Sequence, residues 1–158
     1  MGDLIEGVSL TPLRVISDSR GAVLHLWRAD QPGATQIGEC YFSEVLPGVI
    51  KGWKRHRRQT QNLAVPCGRA RFVIVDSRES SSTVGAIQAI ELGRPDAYVR
   101  LRIPPLVWYG FLAIGDAPCL IANTPDIPHD PTEGETLELE KMQPEVALRA
   151  LREGVLLP

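Results

Sequence analysis

Short apolar segments separated by glycine and proline constrain the fold of this chain more than any other feature. The 158 residues include 14 glycines and 13 prolines, which are spread along the whole length. Between them the apolar runs are short, and in residues 69–76 they alternate, with Ala70, Phe72 and Ile74 on one face. Such a pattern predicts short strands joined by tight turns rather than long helices.

Nine strands and one helix are predicted from this pattern. The strands cover residues 22–28, 39–45, 49–53, 61–65, 69–76, 87–92, 98–103, 108–114 and 118–123. The helix covers residues 145–152, with Pro144 at its start and Gly154 just past its end. The predicted fold class is therefore all-β, a cupin double-stranded β-helix (jelly-roll) with one short C-terminal helix. Residues 1–158 are expected to form one domain, with a core over about 18–131 and a tail and helix over 132–158.

Composition excludes several classes of function. The net charge is −2, so nothing indicates a nucleic-acid partner, and the apolar runs are too short to span a bilayer. The N-terminus lacks the pattern of a signal peptide. Three cysteines, an odd number, lie among apolar residues, which is typical of core packing in a reducing compartment. We therefore expect a cytoplasmic protein without a membrane partner.

The segment from Gly48 to Gly68 carries an unusual concentration of polar side chains. These are Lys51, Lys54, Arg55, His56, Arg57, Arg58, Gln59 and Gln61. Lysine and arginine donate charge-assisted hydrogen bonds to phosphate, so the cluster suits an anionic ligand. On a strand, Lys54 and His56 point to the same face and could both enter a barrel, whereas Arg57 and Arg58 fit a solvated hairpin.

Four motifs, in order, resemble those of one enzyme family. Residues 18–21 (Asp-Ser-Arg-Gly) are similar to its Asp-x-Arg-Gly turn, and residues 48–53 to its Gly-Val-Leu-Arg-Gly-Leu segment. Residues 68–78 are similar to its Gly-x-x-x-Asp-Val-x-Val-Asp-x-Arg strand, and residues 103–111 to its Ile-Pro-x-x-x-Ala-His-Gly-Phe segment. Over residues 18–131 the chain thus resembles the dTDP-4-dehydrorhamnose 3,5-epimerases, and more distantly the sugar 3,4-ketoisomerases, cupin-fold enzymes of nucleotide-sugar metabolism.

Four positions that this family uses in catalysis differ here. Lys54 stands in the place of the family's histidine base, and Asn62 in the place of its active-site lysine. Tyr109 replaces a supporting histidine, and Ile121 occupies the position of the catalytic tyrosine. Ordinary 3,5-epimerase activity by the family's own machinery is not expected, so the sequence leaves open whether the chain is an enzyme.

The phosphate-binding positions of the family are better retained. Arg20 matches the arginine of the Asp-x-Arg-Gly turn, and Lys51 keeps the positive charge of a family arginine. The resemblance implies a nucleotide-linked sugar, dTDP-linked or related, as the ligand. It also implies a homodimer, because the family pairs its subunits through the early strands.

The polar residues at the changed positions are candidates for catalysis. His56 is a candidate general base, with Lys54 stabilising an enolate beside a 4-keto group. Alternatively, a buried neutral Lys54 is itself the base. Tyr109 is a candidate proton donor opposite them, or an aromatic core residue with its hydroxyl satisfied.

Three further residues are candidates for substrate binding. Asn62 and Gln61 can hydrogen-bond sugar hydroxyls. Asp76 either orients His56 as a partner of its ring or starts the loop that follows its strand. The acidic tail from Glu133 to Glu140 is predicted to be a solvated or partner-facing edge.

No metal or other cofactor is predicted. A metal cupin needs a His-x-His pair, an acidic ligand and a third histidine, and the corresponding residues here are Lys54, His56, Gln61 and Tyr109. A zinc or iron site needs three or more such donors, and only His56 is a good one.

Two functions remain compatible with the sequence. The first is an epimerase or isomerase of a nucleotide-linked keto-sugar that acts by proton abstraction beside the carbonyl, in deoxysugar or polysaccharide biosynthesis. The second is a catalytically inactive cupin that binds a nucleotide sugar or scaffolds a polysaccharide-assembly complex. Catalysis is favoured because Lys54, His56, Asn62 and Tyr109 are polar, and burying polar groups without a use is costly.

Overall fold

The computed structural model describes residues 4–31 and 33–154. Over these residues the chain forms twelve strands, one 3-10 turn and one α-helix. The strands are β1 (Ser9–Pro12), β2 (Val15–Asp18), β3 (Gly21–Leu24), β4 (Tyr41–Val45), β5 (Ile50–His56), β6 (Gln61–Cys67), β7 (Arg69–Val75), β8 (Ile87–Gly93), β9 (Val99–Ile103), β10 (Trp108–Ala113), β11 (Cys119–Asn123) and β12 (Gly134–Thr136). The 3-10 turn is Leu139–Lys141, and the helix α1 is Val146–Glu153. The prediction of an all-β cupin jelly-roll with one short C-terminal helix is confirmed.

The strands form two five-stranded antiparallel sheets and a separate hairpin. The first sheet has the order β1-β9-β6-β11-β4, and the second has the order β12-β5-β10-β7-β8. Few neighbours in these sheets are consecutive in sequence, so the chain crosses repeatedly from one sheet to the other, as in a jelly-roll. The hairpin pairs β2 with β3 only.

The inner faces of the two sheets enclose the main hydrophobic core. Leu63 and Leu101 come from the first sheet, and Phe72 and Ile74 come from the second; all four are buried. Burial of such a side chain stabilises the fold by about 1.5–3 kcal/mol. The core therefore holds the two sheets together along most of their length.

Helix α1 covers part of the outer face of the second sheet. Its Ala150 and Leu151 are buried in one cluster with Trp53, Val73 and Val75. Gly154 ends the helix in a left-handed conformation with φ +77°, as a C-terminal glycine commonly does. The predicted helix bounds are one residue too early at each end. Among the described residues, no helix is long and apolar enough to cross a membrane.

The prediction for the acidic tail is wrong at its beginning. Residues 134–136 form β12, which pairs with β5 at the edge of the second sheet. Glu133 is buried, with 3% of its surface exposed, instead of solvated. An acidic run lacks the apolar alternation that predicts a strand, and only the pairing partner β5 shows why these residues fold inward.

Candidate functional site

A cavity of about 260 Å³ lies between the two sheets. The second sheet contributes a wall, called here the β5–β10 wall, of Lys51, Gly52, Lys54, Tyr109 and Phe111. The first sheet contributes the β4–β11 wall of Tyr41, Ser43, Ile121 and Asn123, with Leu63 of β6 beside it. The cavity thus combines apolar surface with a few convergent polar groups, which is the character of a small-ligand site.

A break in the register of β5 brings two lysines to the same wall. Lys51 and Lys54 are three residues apart, so a regular strand would point them to opposite faces. The pairing of β5 with β10 shifts between Tyr109 and Phe111, and this irregularity lets both lysines line the cavity. Gly52 has φ +150°, and a Cβ there would lie 2.7 Å from the Cα of Gly110. Only glycine fits this position.

His56 is buried and paired with a carboxylate. Its Nδ1 lies 2.9 Å from Oε2 of Glu133, and Oε1 of Glu133 accepts hydrogen bonds from the backbone N–H groups of Arg58 and Gln59. Burial alone would raise the pKa of Glu133, but these N–H groups and His56 outweigh it and hold the pKa below its ordinary value. Burial lowers the pKa of His56, while the hydrogen bond with Glu133 opposes that shift. The result is a neutral imidazole beside an ionised carboxylate.

Tyr109 connects His56 to the cavity. Its hydroxyl lies 3.3 Å from Nε2 of His56, and its side chain lines the cavity, whereas His56 does not. An ionised carboxylate only accepts hydrogen bonds, so Nδ1 of His56 donates to Glu133 and Nε2 is the acceptor for the Tyr109 hydroxyl. Burial raises the pKa of Tyr109 strongly, so the phenol is protonated at neutral pH. The sequence left two roles open for Tyr109, a donor opposite His56 or an aromatic core residue with its hydroxyl satisfied. The hydroxyl is satisfied, and it lies beside His56 and not opposite it.

A second, smaller cavity of about 160 Å³ lies on the other side of Lys54. His56, His129 and Glu133 contribute to its lining. The sequence separates His129 widely from His56, but the fold brings both to this cavity. A volume of this size has room for water. Water in it reaches His56 without passing through the main cavity.

The β4–β11 wall carries a second phenol, Tyr41. Its hydroxyl oxygen accepts a hydrogen bond of 2.8 Å from Nδ2 of Asn123, the residue directly across the ladder on β11. Burial raises the pKa of Tyr41, and the bond from Asn123 opposes that rise. Tyr41 is 39% exposed, so it borders both the cavity and solvent.

Lys51 lies near the same edge of the cavity as Ser43. Its ammonium donates to Oγ of Ser43 at 3.0 Å and to the carbonyl of Glu44 at 2.5 Å. A lysine ammonium has three donors, so one remains for a ligand.

Besides His56, four predicted site residues lie outside the lining of the main cavity. Asp76 accepts hydrogen bonds from Arg78, Ser81 and Thr83. The Arg78 guanidinium holds the pKa of Asp76 well below its usual range. The prediction that Asp76 orients His56 is wrong, because a local arginine satisfies this buried carboxylate and Glu133 occupies the place beside the imidazole.

The other three are Asn62, Gln61 and Arg20. Asn62 donates from Nδ2 to the carbonyl of Thr124, and the next residue, Leu63, is the one that lines the cavity. Gln61 is buried behind Asn123, whose Nδ2 donates to Oε1 of Gln61 at 2.6 Å. Arg20 lies exposed in the β2–β3 turn, where it pairs with Asp18 at 2.6 Å.

Sequence reasoning missed Tyr41, Asn123 and Glu133. A signal existed for Tyr41, because the predicted strand over residues 39–45 puts positions 41, 43 and 45 on one face and Val45 is a plain core residue. No comparable signal existed for Glu133, which lies in an acidic segment 77 positions from His56. In the part of the chain that the structure describes, no three His, Cys, Asp or Glu residues lie together in a way that could hold a metal ion.

Comparisons with known proteins agree with the fold. A family described as dTDP-4-dehydrorhamnose 3,5-epimerase matches residues 3–150. The crystal structure of a dTDP sugar isomerase from Desulfovibrio desulfuricans G20 is 51% identical, covering 87% of this chain and 88% of that chain with a TM-score of 0.84.

Two curated proteins are similar over most of their length. A probable low-salt glycan biosynthesis epimerase of Haloferax volcanii is 37% identical over 123 residues, 77% of this chain and 78% of that protein. A spore coat polysaccharide biosynthesis protein of Bacillus subtilis is 32% identical over 130 residues, 82% of this chain and 85% of that protein. The resemblance inferred from the four sequence motifs is confirmed, and the chain belongs to the dTDP-4-dehydrorhamnose 3,5-epimerase family.

Proposed function

We propose that this protein is a nucleotide-sugar epimerase of glycan or polysaccharide biosynthesis that removes and returns a proton on a carbon beside a keto group. One observation carries the proposal: Tyr109, backed by His56 and Glu133, meets Lys54 on one wall of a cavity between the sheets. The names of the similar proteins, an epimerase of glycan biosynthesis and a dTDP sugar isomerase, support the substrate class.

The base of the reaction is the Tyr109–His56–Glu133 chain. Tyr109 by itself is a poor base, because burial raises its pKa and disfavours a phenolate. With His56 behind it, Tyr109 takes the proton from the substrate carbon while its own hydroxyl proton passes to Nε2 of His56. The imidazolium that forms is stabilised by the Glu133 carboxylate, which stays ionised. A buried positive charge therefore never lacks a partner during the step.

Lys54 stabilises the charge that develops on the substrate. When the C–H bond breaks, its electron pair moves to the keto oxygen and makes an enolate. The Lys54 side chain lines the same cavity as Tyr109 and pairs across the ladder with it. A cation held next to a developing oxyanion lowers the barrier more in a cavity between two sheets than in water.

The size of the cavity favours a sugar ring inside it and the nucleotide outside it. Its volume of about 260 Å³ lies below the range of about 300–1,000 Å³ for pockets that enclose a whole ligand. Lys51 stands at the exposed part of the lining with one donor remaining, which suits a phosphate oxygen. A phosphate role for Arg20 stays a prediction, since in this chain it is paired with Asp18 outside the cavity.

A homodimer in the cytoplasm also stays a prediction. The exposed hairpin supports pairing of subunits, since Val15, Ile16 and Val23 are between 38% and 61% exposed on β2 and β3. Apolar side chains on a hairpin that pairs only with itself would gain from a partner surface.

Exchange with solvent deuterium tests the proposed function. The purified protein is incubated with TDP-4-keto-6-deoxyglucose in D₂O, and deuterium at the carbons beside the keto group is followed by NMR. We expect exchange by the wild type and a loss of about 10²–10⁴-fold in the His56→Asn variant. His25→Asn is the matched control, because His25 is a partly buried histidine that lines neither cavity.

A different result would replace the proposal with the inactive alternative. If dTDP stabilises the protein against heat but no 4-keto-6-deoxy nucleotide sugar exchanges its protons, the chain is a binding module. If exchange proceeds unchanged in His56→Asn, the assigned base is wrong.

A further inference from the structure

We propose that Tyr41 is the proton donor of the reaction and acts on the face of the sugar opposite Tyr109. This inference rests on the proposed function, since it assigns the second proton transfer of the same epimerisation. It depends on the position of Tyr41 in the cavity and on the direction of its hydrogen bonds.

Tyr41 and Tyr109 belong to opposite walls. Tyr41 is at the start of β4 in the first sheet, and Tyr109 is on β10 in the second sheet, and both line the cavity. A sugar ring between the sheets presents one face to each wall. Inversion of a carbon needs a proton removed from one face and a proton delivered to the other, so two groups on opposite walls fit that requirement.

The orientation of Asn123 fixes the hydrogen bond to Tyr41. The backbone N–H of Asn62 lies 3.1 Å from Oδ1 of Asn123, and an N–H group can only donate. The other atom of the Asn123 amide is therefore Nδ2, and it donates to Oη of Tyr41 at 2.8 Å and to Oε1 of Gln61 at 2.6 Å.

The same direction of hydrogen-bond donation continues from Asn123 through a buried chain of side-chain amides. Nε2 of Gln61 donates to Oε1 of Gln59 at 2.7 Å, and Nε2 of Gln59 donates to the carbonyl of Ile127 at 2.7 Å. The carbonyl of Ile127 can only accept at one end, and the backbone N–H of Asn62 can only donate at the other. No side-chain amide in the chain can therefore flip without losing a hydrogen bond. Burial makes such a loss costly, by about 1–3 kcal/mol for each unsatisfied group.

Tyr41 therefore presents a donor to the cavity. Its oxygen already accepts from Asn123, and no acceptor for its own O–H is found among the residues that the structure describes. Tyr109 is arranged the opposite way, because its O–H is directed to Nε2 of His56. One phenol can pass its proton inward to a base, and the other can deliver its proton to a ligand.

Each proton and the electron pair of the broken C–H bond has a donor and an acceptor in this step. The Tyr109–His56 pair removes the proton from the substrate carbon, and the electron pair of the broken C–H bond forms the enolate. The enolate carbon then takes the Tyr41 hydroxyl proton from the other face, which restores the ketone with inverted configuration and leaves a Tyr41 phenolate. Water returns a proton to Tyr41, which is 39% exposed, and His56 releases its proton to water in the second cavity.

The Tyr41→Phe variant tests this assignment through two readouts. With TDP-4-keto-6-deoxyglucose in D₂O, formation of the epimer and exchange of deuterium without inversion are measured in the same sample by NMR. We expect epimer formation to fall by about 10²–10⁴-fold. Exchange without inversion should continue near the wild-type rate, because the Tyr109–His56–Glu133 chain is intact and returns deuterium to the face from which it took a proton.

Tyr98→Phe is the control. It removes a hydroxyl from a buried tyrosine that lies outside the cavity, and it should leave both rates unchanged. Epimer formation retained in Tyr41→Phe overturns the assignment, and so does an equal loss of epimer formation and exchange. If the wild type shows neither activity, the proposed function fails, and this inference fails with it.

Discussion

The two walls of the cavity differ in how their polar groups are satisfied. On the β5–β10 wall, Tyr109 is bonded to His56, and His56 to Glu133, all within the protein. On the β4–β11 wall, the Tyr41 oxygen accepts from Asn123, and its O–H has no acceptor among the residues that the structure describes. The comparison shows that two residues of the same type can have opposite chemical roles when their hydrogen-bond partners are fixed in opposite directions.

The Glu133→Gln variant should have the largest effect on this contrast. An amide keeps the size of the side chain but cannot stabilise the His56 imidazolium by charge, so kcat/KM should fall by about 10²–10⁴-fold. Glu133→Gln should also change the pH profile. Activity needs neutral His56 and is lost as pH falls through the pKa of His56, which burial holds below about 6.5. Glu133 opposes that lowering, so its removal lowers the pKa of His56 further and moves the acid limb of kcat/KM to lower pH.

Glu135→Gln is the matched control for this change. Glu135 lies on β12, two residues after Glu133, and pairs with Arg55 and Arg57 instead of His56. An acid limb that stays in place in Glu133→Gln would show that His56 is not the titrating base.

The Lys54→Met variant should have an intermediate effect. Methionine keeps much of the apolar stem but removes the cation beside the enolate, so we expect kcat to fall by about 10²-fold, the scale of one oxyanion-stabilising group. Steady-state kinetics with TDP-4-keto-6-deoxyglucose would measure it. Lys141→Met is the control, since Lys141 is exposed and pairs with Glu138 on the surface. A rise in KM with kcat unchanged would mean that Lys54 only binds substrate.

The Lys51→Met variant should have the smallest effect, confined to binding. Lys51 keeps one donor for a phosphate oxygen, so its loss should weaken dTDP binding up to about tenfold, which corresponds to about 1.4 kcal/mol. Calorimetric titration with dTDP measures this change directly. A fall in kcat with dTDP affinity unchanged would place Lys51 in the chemistry instead of at the nucleotide.

Most of the strands that could be predicted follow from the local pattern of apolar residues in the sequence. The strands from β4 to β11 follow the predicted segments closely, because each has apolar alternation or a short apolar run between turn residues. Strands β1, β2 and β12 were not predicted. β12 is three residues long and polar, and it exists because β5 offers an unpaired edge beside it.

The candidate site was predictable only in part. The alternation of a strand predicts that Lys54 and His56 share a face, and the structure lines the second cavity with both. The presence of Lys51 on the same wall as Lys54 depends on the irregular register beside Gly52, which strand alternation cannot indicate. For Asp76 the sequence left two roles open, a partner of His56 or the start of the loop after its strand. Glu133 is the partner of His56, and Asp76 is bound by Arg78 in that loop.

The sequence by itself determined the jelly-roll, the family and the polar character of β5, since these follow from local alternation and from motifs of adjacent residues. Only the tertiary structure decided which group stands beside His56, that Tyr41 and Tyr109 line opposite walls of one cavity, and which partner each phenol has. These outcomes depend on contacts between residues far apart in the chain, such as Glu133 with His56 and Asn123 with Tyr41. The direction of a hydrogen bond is fixed by the whole chain of partners behind it, and no local segment contains that information.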